Sequence, residues 1–392
     1  MTAPSPAATT QSELPAAPAR RSWRERWLAF RNGTVASPAF QRWAAGFPLT
    51  RGIARRNTRA LFDLCAGFVY AQVLFACVRL DLFRLLQPGP LAPDIVARRL
   101  DLPPERALTL LKAAASLDLL TRLPDGRFGL ADLGAAMIGN PSISAMVEHH
   151  AMLYADLADP VALLRQRPDR TRLSAYWPYA EAKAADHAAV APDSVAAYSG
   201  LMAASQAMIA GDVLDALPLS ERACLMDIGG GEGVFLSEAA RRHPHLSLKL
   251  LDLPPVAERA RARFESAGLG PRVTCHGGSF RDEALPRGAD AISLVRVVHD
   301  HDDAVIEPLL RAVHAALPPG GLVAIAEPMA GTPGAEPIGD AYFGFYLMAM
   351  GSGRPREAAE LSAMLASAGF TEIRERPTRR PLLARLITAK RG

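Results

Sequence analysis

The chain has 392 residues, 49% of them hydrophobic and 21% charged, with a formal net charge of +4. That length and apolar content exclude a disordered or fibrous chain and allow two or three domains, each with its own core. Four scattered cysteines, none at CxxC spacing, argue against a disulfide framework or a zinc ribbon and fit a reducing compartment.

Residues 1–58 read as a disordered, basic aromatic arm. Met1–Ala19 is rich in Ala, Pro, Ser and Thr, and it has no apolar core of signal-peptide length. Between Arg20 and Arg59 ten arginines stand against one acid, Glu25, interleaved with Trp23, Trp27, Phe30, Phe40, Trp43 and Phe47. A segment of this kind can lie on an anionic membrane surface, or dock its aromatics on the body or on a partner subunit. The most apolar stretch, Leu64–Val78, is interrupted by Gln72 and reads as too short to span a bilayer. The expected location is therefore the cytoplasm, with the arm as the route to any peripheral contact with an inner or photosynthetic membrane.

Residues 59–142 read as a helical, winged-helix-like module. Leu61–Leu86 supplies one or two apolar helices, Pro93–Arg99 and Pro104–Leu120 a helix-turn-helix pair, and Thr121–Leu130, centred on Asp125-Gly126, a hairpin wing. The shape raises a DNA-binding regulator as a rival function. Against it, the candidate recognition helix carries only Arg106 and Lys112 as basic groups, too few for phosphate contacts. Its Leu- and Ala-rich surface predicts burial, most simply against a second copy, and hence dimerisation without nucleic acid as a partner.

Residues 143–216 form a helical connector holding His149, His150, Met152, Tyr154, Tyr176, Trp177, Tyr179, Met202 and Met208. Such a segment can line an apolar substrate pocket or serve as ordinary core. The adjacent His149 and His150 are not at metal-ligand spacing and read as a surface or capping pair.

Residues 217–392 alternate strands (223–228, 246–251, 272–276, 290–298, 321–326) with helices (233–243, 255–267, 302–316). Helices near 340–350 and 357–368 follow, then strands at 371–374 and 382–389. This pattern predicts an α/β domain with a seven-stranded, Rossmann-like sheet whose last strand is antiparallel. In such a sheet ligands bind beyond the carboxyl ends of the strands. The first strand ends in Asp-Ile-Gly-Gly-Gly-Glu-Gly (227–233), where glycines allow a sharp turn and close ligand approach before a helix N-terminus. Asp252, 25 residues beyond Asp227, ends the second strand where a ribose diol is read. The fourth strand runs into His299, and Glu327 ends the fifth, so an imidazole–carboxylate pair suited to general-base work is expected at the mouth. Adjacent residues on one turn rarely converge on an ion, so the run His301, Asp302, Asp303 predicts no metal site.

These motifs occur in order with Asp-Leu-Pro-Pro-Val (252–256), Gly-Gly-Ser-Phe (277–280), His-Asp (299–300) and Ala-Glu-Pro (326–328). The chain thereby resembles the plant-type O-methyltransferases, which use S-adenosylmethionine. Three further stretches (42–51, 276–282 and 343–356) resemble the bacterial carotenoid methyltransferases acting on the 1-hydroxyl of demethylspheroidene and hydroxyneurosporene. The resemblance covers most of residues 59–392. It implies a homodimer of class I methyltransferase fold, with an N-terminal winged-helix dimerisation domain. It also implies that Gly229 and Gly231 back the methionine and ribose of the cofactor, and that Asp227 belongs to the same cofactor-binding set. By the same likeness Asp252 holds the ribose hydroxyls, Ser279 and Phe280 flank the adenine, and Arg296 lies alongside. His299 takes the place of the catalytic base and Glu327 that of an orienting carboxylate. Two positions depart from the family: Ser279 stands where an acid is usual, and Pro355 where a second carboxylate would flank the base. A phenol, polyketide or tetrapyrrole is the alternative acceptor.

Overall fold

A computed structural model of the chain describes residues 22–166, 170–176, 192–281 and 284–392. The tail Met1–Ala19, Trp177 and Tyr179 lie outside the described residues. The chain divides into two compact units, up to Gln72 and from Val73 onward.

In the first unit Ser22 starts the helix Trp23–Ala36 with a reciprocal cap. Its hydroxyl accepts the Glu25 N–H, and the Glu25 carboxylate accepts the Ser22 N–H at 2.7 Å. Ser37 caps the next helix, Pro38–Gly46, with proline at its first position, where a missing N–H costs nothing. The third helix, Arg51–Arg79, runs 29 residues, starting earlier than the pattern predicted because no proline interrupts it. One 18-residue window of it has a mean hydropathy of 1.9 and is only 6% buried. By length and composition alone it is long enough to cross a membrane, unlike the shorter apolar stretch read from the sequence. Trp23, Trp27, Phe30, Leu64 and Phe68 are all exposed.

The second unit opens with helices Leu82–Leu86, Pro93–Arg99 and Pro104–Ser116, then the hairpin β1 (Leu120–Arg122) and β2 (Phe128–Leu130). The helix Pro104–Ser116 turns Ala107, Leu111 and Ala114 inward, at spacings that share one face, and Leu111 and Ala114 join Leu82, Leu86 and Phe128 in one core. That stripe packs within the subunit, while Leu108 and Leu110 on the same helix stay partly buried.

Helices Asp132–Gly139, Pro141–Asp156, Pro160–Leu164, Arg172–Tyr176 and Pro192–Ala216 lead into the sheet. Its strands are β3 (Cys224–Ile228), β4 (Ser247–Asp252), β5 (Val273–Gly277), β6 (Ala291–Val295), β7 (Leu322–Glu327), β8 (Phe370–Arg376) and β9 (Arg385–Arg391). They lie in the order β5-β4-β3-β6-β7-β9-β8, all parallel except β9, which inserts antiparallel between β7 and β8. Strands β3, β6 and β7 are buried at every residue, as a parallel sheet covered on both faces requires. β6 ends at Val295, three residues before the predicted end. Arg296 adopts φ +58°, a left-handed conformation that stops an extended strand, and a single turn, Val298–Asp300, follows.

Candidate active site

The carboxyl ends of β3, β4 and β6 open into one cleft of about 1050 Å³, its open mouth included. Gly229, Gly231, Asp252, Ser279, Phe280 and Arg296 all line it. After β3 the chain turns through Gly229 and Gly231, at φ +66° and +57°, before the helix Val234–Arg242. A Cβ on Gly231 would meet nothing within 4 Å, so its bare backbone leaves an open floor. A Cβ on Gly233 would instead run into the Phe264 ring. One glycine thus leaves open space on the cleft and the other makes room for packing.

Asp252 is oriented by two main-chain donors, Gly231 N–H at 2.8 Å and Leu253 N–H at 2.7 Å. Burial pushes its carboxyl up to about 6, against the pull of those two donors. Asp227 does not line the cleft. It lies beneath the glycine turn, 1% exposed, accepting the Ser293 hydroxyl at 2.6 Å through Oδ1. Its Oδ2 has no partner, and burial pushes its carboxyl up to about 7. Arg296 donates to Ser205 Oγ at 2.6 Å, which places its guanidinium along the cleft wall. An open glycine floor beside an oriented carboxylate fits a nucleoside-bearing ligand.

Beside this cleft the turn Val298–Asp300 carries His299, 3% exposed. Asp300 and His301 line the cleft, whereas His299 faces Phe343 with ring centroids 5.6 Å apart. Its Nε2 lies 3.1 Å from Asp300 Oδ1, and its main-chain N–H donates to Glu327 Oε2 at 3.0 Å. Glu327 thus grips the backbone of His299, and the carboxylate on the ring is Asp300. In the sequence Asp300 stood out only as the second residue of the His-Asp motif (299–300). Burial opposes charge on the imidazole, but Asp300 and then Glu327 outweigh it and hold its pKa above the ordinary value. Burial likewise opposes charge on Asp300, and the His299 beside it brings that carboxyl below the usual range. Burial raises Glu327, against the pull of His299 and Arg356. His301 accepts from Arg281 at Nδ1 (3.0 Å), and burial takes its pKa down to about 4, so it is neutral near pH 7.

On the far side of Phe343 stands a packed cluster of aromatic and imidazole groups. The segment Pro337–Phe343 winds in wide, π-type turns before the helix Gly344–Met350. From it Tyr346 bonds His149 Nε2 at 2.9 Å, and Tyr342 bonds His150 Nε2 at 2.8 Å. Both histidines sit on the helix Pro141–Asp156, His149 only 7% exposed, so they are no surface pair. Burial takes His149 down to about 4 and lowers His150, while Tyr342 is pushed up to about 12. Near neutral pH all of these groups are uncharged, and the cluster is polar only through its hydrogen bonds. The i, i+1 spacing of the histidines gave no hint of this. Their partners lie almost 200 residues away. Among the described residues no cluster of His, Cys, Asp or Glu could hold a metal ion.

Residues 154–371 match the model of the O-methyltransferase domain, and residues 62–140 that of the O-methyltransferase dimerisation domain. The chain belongs to the O-methyltransferase family. The methyltransferase is 47% identical over 357 residues to the demethylspheroidene O-methyltransferase of Cereibacter sphaeroides, covering 91% of this chain and 93% of that one. It is 44% identical to the enzyme of the same name from Rhodobacter capsulatus, over 88% and 85% of the two chains. Among solved structures it is similar to human N-acetylserotonin methyltransferase in complex with SAM, with a TM-score of 0.70 and 23% identity. That likeness covers 86% of this chain and 98% of the human one, and it concerns the fold.

Proposed function

We propose that this methyltransferase moves the methyl of S-adenosylmethionine to the tertiary 1-hydroxyl of an acyclic carotenoid of the demethylspheroidene or hydroxyneurosporene type. The observation that carries the reading is the likeness to two demethylspheroidene O-methyltransferases along nearly the whole chain. It does not favour a phenol, polyketide or tetrapyrrole acceptor, nor a DNA-binding regulator.

When bound, S-adenosylmethionine supplies a methyl group already activated on a sulfonium. In this reading Gly229 and Gly231 back its methionine and ribose, with Asp227 supporting the turn from below. Asp252 accepts from the ribose hydroxyls, Ser279 and Phe280 flank the adenine, and Arg296 closes the wall. A tertiary alcohol keeps its proton near pH 7, so the proton leaves as the methyl arrives. His299 accepts it, Asp300 stabilises the resulting charge on the ring, and Glu327 holds the backbone that aims it. Most of the rate comes from alignment, with proton transfer adding roughly 10²–10⁴. The wall of Tyr342, Phe343 and Tyr346, with Met350 at its end, offers the polyene an uncharged surface.

The same reading has a homodimer in the cytoplasm with domains at 59–142, 143–216 and 217–392. The matched dimerisation domain begins at residue 62, so a second copy covers the exposed Phe62, Leu64 and Phe68. Trp23, Trp27, Phe30 and Trp43 precede that range and lie among arginines, which suits them to an anionic membrane surface holding the apolar substrate.

The test is a transfer assay with labelled cofactor and detergent-dispersed 1-hydroxy carotenoids, comparing the wild type with His299→Ala. Label in the carotenoid, much reduced in the variant, is expected. Cofactor binding without transfer to any such carotenoid would remove the substrate assignment. Full activity in the variant would remove the base.

A further inference from the structure

Arg356 is the largest fully buried side chain in the described molecule, and it does not line the cleft. Its guanidinium spans the turn that carries His299. One terminal nitrogen donates to the Val298 carbonyl at 2.7 Å, and the other to the His301 carbonyl at 2.8 Å. The remaining donors converge on Asp303 Oδ1 at 2.9 and 2.6 Å, at the start of the helix Asp303–Ala316. A planar fork with five donors can hold three acceptors at once, which a lysine ammonium cannot do in this geometry.

The residues just before Arg356 complete the brace. The Ser352 hydroxyl donates to the Asp300 carbonyl at 3.0 Å, and the Gly353 N–H donates to Asp302 Oδ1 at 3.0 Å. Gly353, at φ +81°, packs so tightly on the His299 carbonyl that a Cβ there would overlap it. All four carbonyls from Val298 to His301 are thus bonded or contacted by residues 352–356. The Arg356 carbonyl in turn accepts the Ala330 N–H at 3.0 Å, tying the brace to the loop that leaves Glu327. The brace also follows directly on the helix Gly344–Met350 that carries Tyr346.

We propose that the segment Ser352–Arg356, through Arg356, is the positioning element of His299, bracing the backbone at the place where the family pattern has a second carboxylate beside the ring and this chain has Pro355. The segment holds the turn so that the ring meets Asp300 and the main-chain N–H meets Glu327. Arg356 is a positioning residue: it touches no reacting group and acts through the turn.

The proposal rests on His299 acting as the base, and two charge-conserving variants test it, Arg356→Lys and Ser352→Ala. Each is measured for kcat and for the KM of each substrate, in the wild-type and the His299→Ala backgrounds. The ring pKa of His299 is read by NMR on histidine-labelled protein. The charged groups acting on that ring are Asp300, Glu327 and Arg296, and neither variant changes any of them. The expected result is a roughly ten- to hundredfold loss of kcat, the cofactor KM nearly unchanged. No further loss is expected in the His299→Ala background, and the ring pKa falls as its alignment with Asp300 loosens. An equal loss in both backgrounds, or an unmoved ring pKa in a variant that lost activity, would overturn it. If His299→Ala is itself fully active, the base assignment has failed. The ring pKa then still decides the brace, with a fall supporting it and no change refuting it. Ser352→Ala removes one part-buried hydroxyl bond and keeps the test decisive if Arg356→Lys does not fold.

Discussion

His299 Nε2 stands 3.1 Å from Asp300 Oδ1 in a nearly closed environment, one residue along the same turn. The contact raises the imidazole pKa and lowers the carboxyl. A base works in its neutral form, so a raised pKa moves the rising limb of the pH–rate profile to higher pH. Asp300→Asn is expected to shift that limb to lower pH and to cut kcat roughly ten- to hundredfold. The pair's contribution to stability has the matching window. The imidazole part is present below the ordinary histidine pKa and lost as pH rises through the raised value. The carboxylate part is lost only as pH falls through the lowered value of Asp300. A limb that stays in place in Asp300→Asn would show that the ring does not titrate in the catalytic step.

Asp227 predicts the opposite kind of effect. Its carboxyl is raised from 3.8 to about 7, so the folded state holds its proton longer than the unfolded chain does. Its contribution is therefore complete at low pH and is lost as pH rises toward the folded value. Asp227→Asn keeps the acceptor for Ser293 without the buried charge. Relative to wild type, the cofactor-free variant is expected to gain roughly 1–3 kcal/mol between about pH 5 and about pH 8. Urea unfolding at both pH values measures this, and a gap that does not widen with pH would refute it.

The two glycines of the turn separate binding from folding. Gly233→Ala puts a Cβ into the Phe264 ring at a positive φ and is expected to lower stability by roughly 1–3 kcal/mol. Gly231→Ala places its Cβ in open space on the cleft floor, so it has the strain of φ but no clash. Its principal loss is expected in cofactor affinity, seen by calorimetry alongside thermal melts. Two variants with the same balance of affinity and stability losses would contradict this division.

If the aromatic cluster meets the acceptor as proposed, its variants should affect the acceptor alone. His149→Phe leaves the Tyr346 hydroxyl buried without its partner, and His150→Phe does the same to Tyr342. Each is expected to cost about 1–3 kcal/mol of stability and to raise the acceptor KM, with cofactor affinity unchanged. Weakened cofactor binding in either variant would place the cluster on the wrong half of the reaction.

Much of this protein was legible in its residues, and the legible part shares one physical cause. Short apolar runs ending in glycine or aspartate, alternating with 3.6-residue periodicity, carry their own reason to form strands, turns and helices. Hence Cys224–Ile228, the glycine turn and Asp252 could be placed in one cleft before any coordinates, and the antiparallel last strand anticipated. What the residues could not state is who meets whom across long separations. The partner of the His299 ring, the backbone role of Glu327, the bonding of His149 and His150 to Tyr346 and Tyr342, and the grip of Arg356 on the turn that carries His299 have no periodic signal. Each depends on a desolvated polar group finding a partner, and that search is settled only when the helices and the sheet close on one another. Local chemistry wrote the elements and the glycine-floored cleft; the packing of distant segments decided how His299 is held.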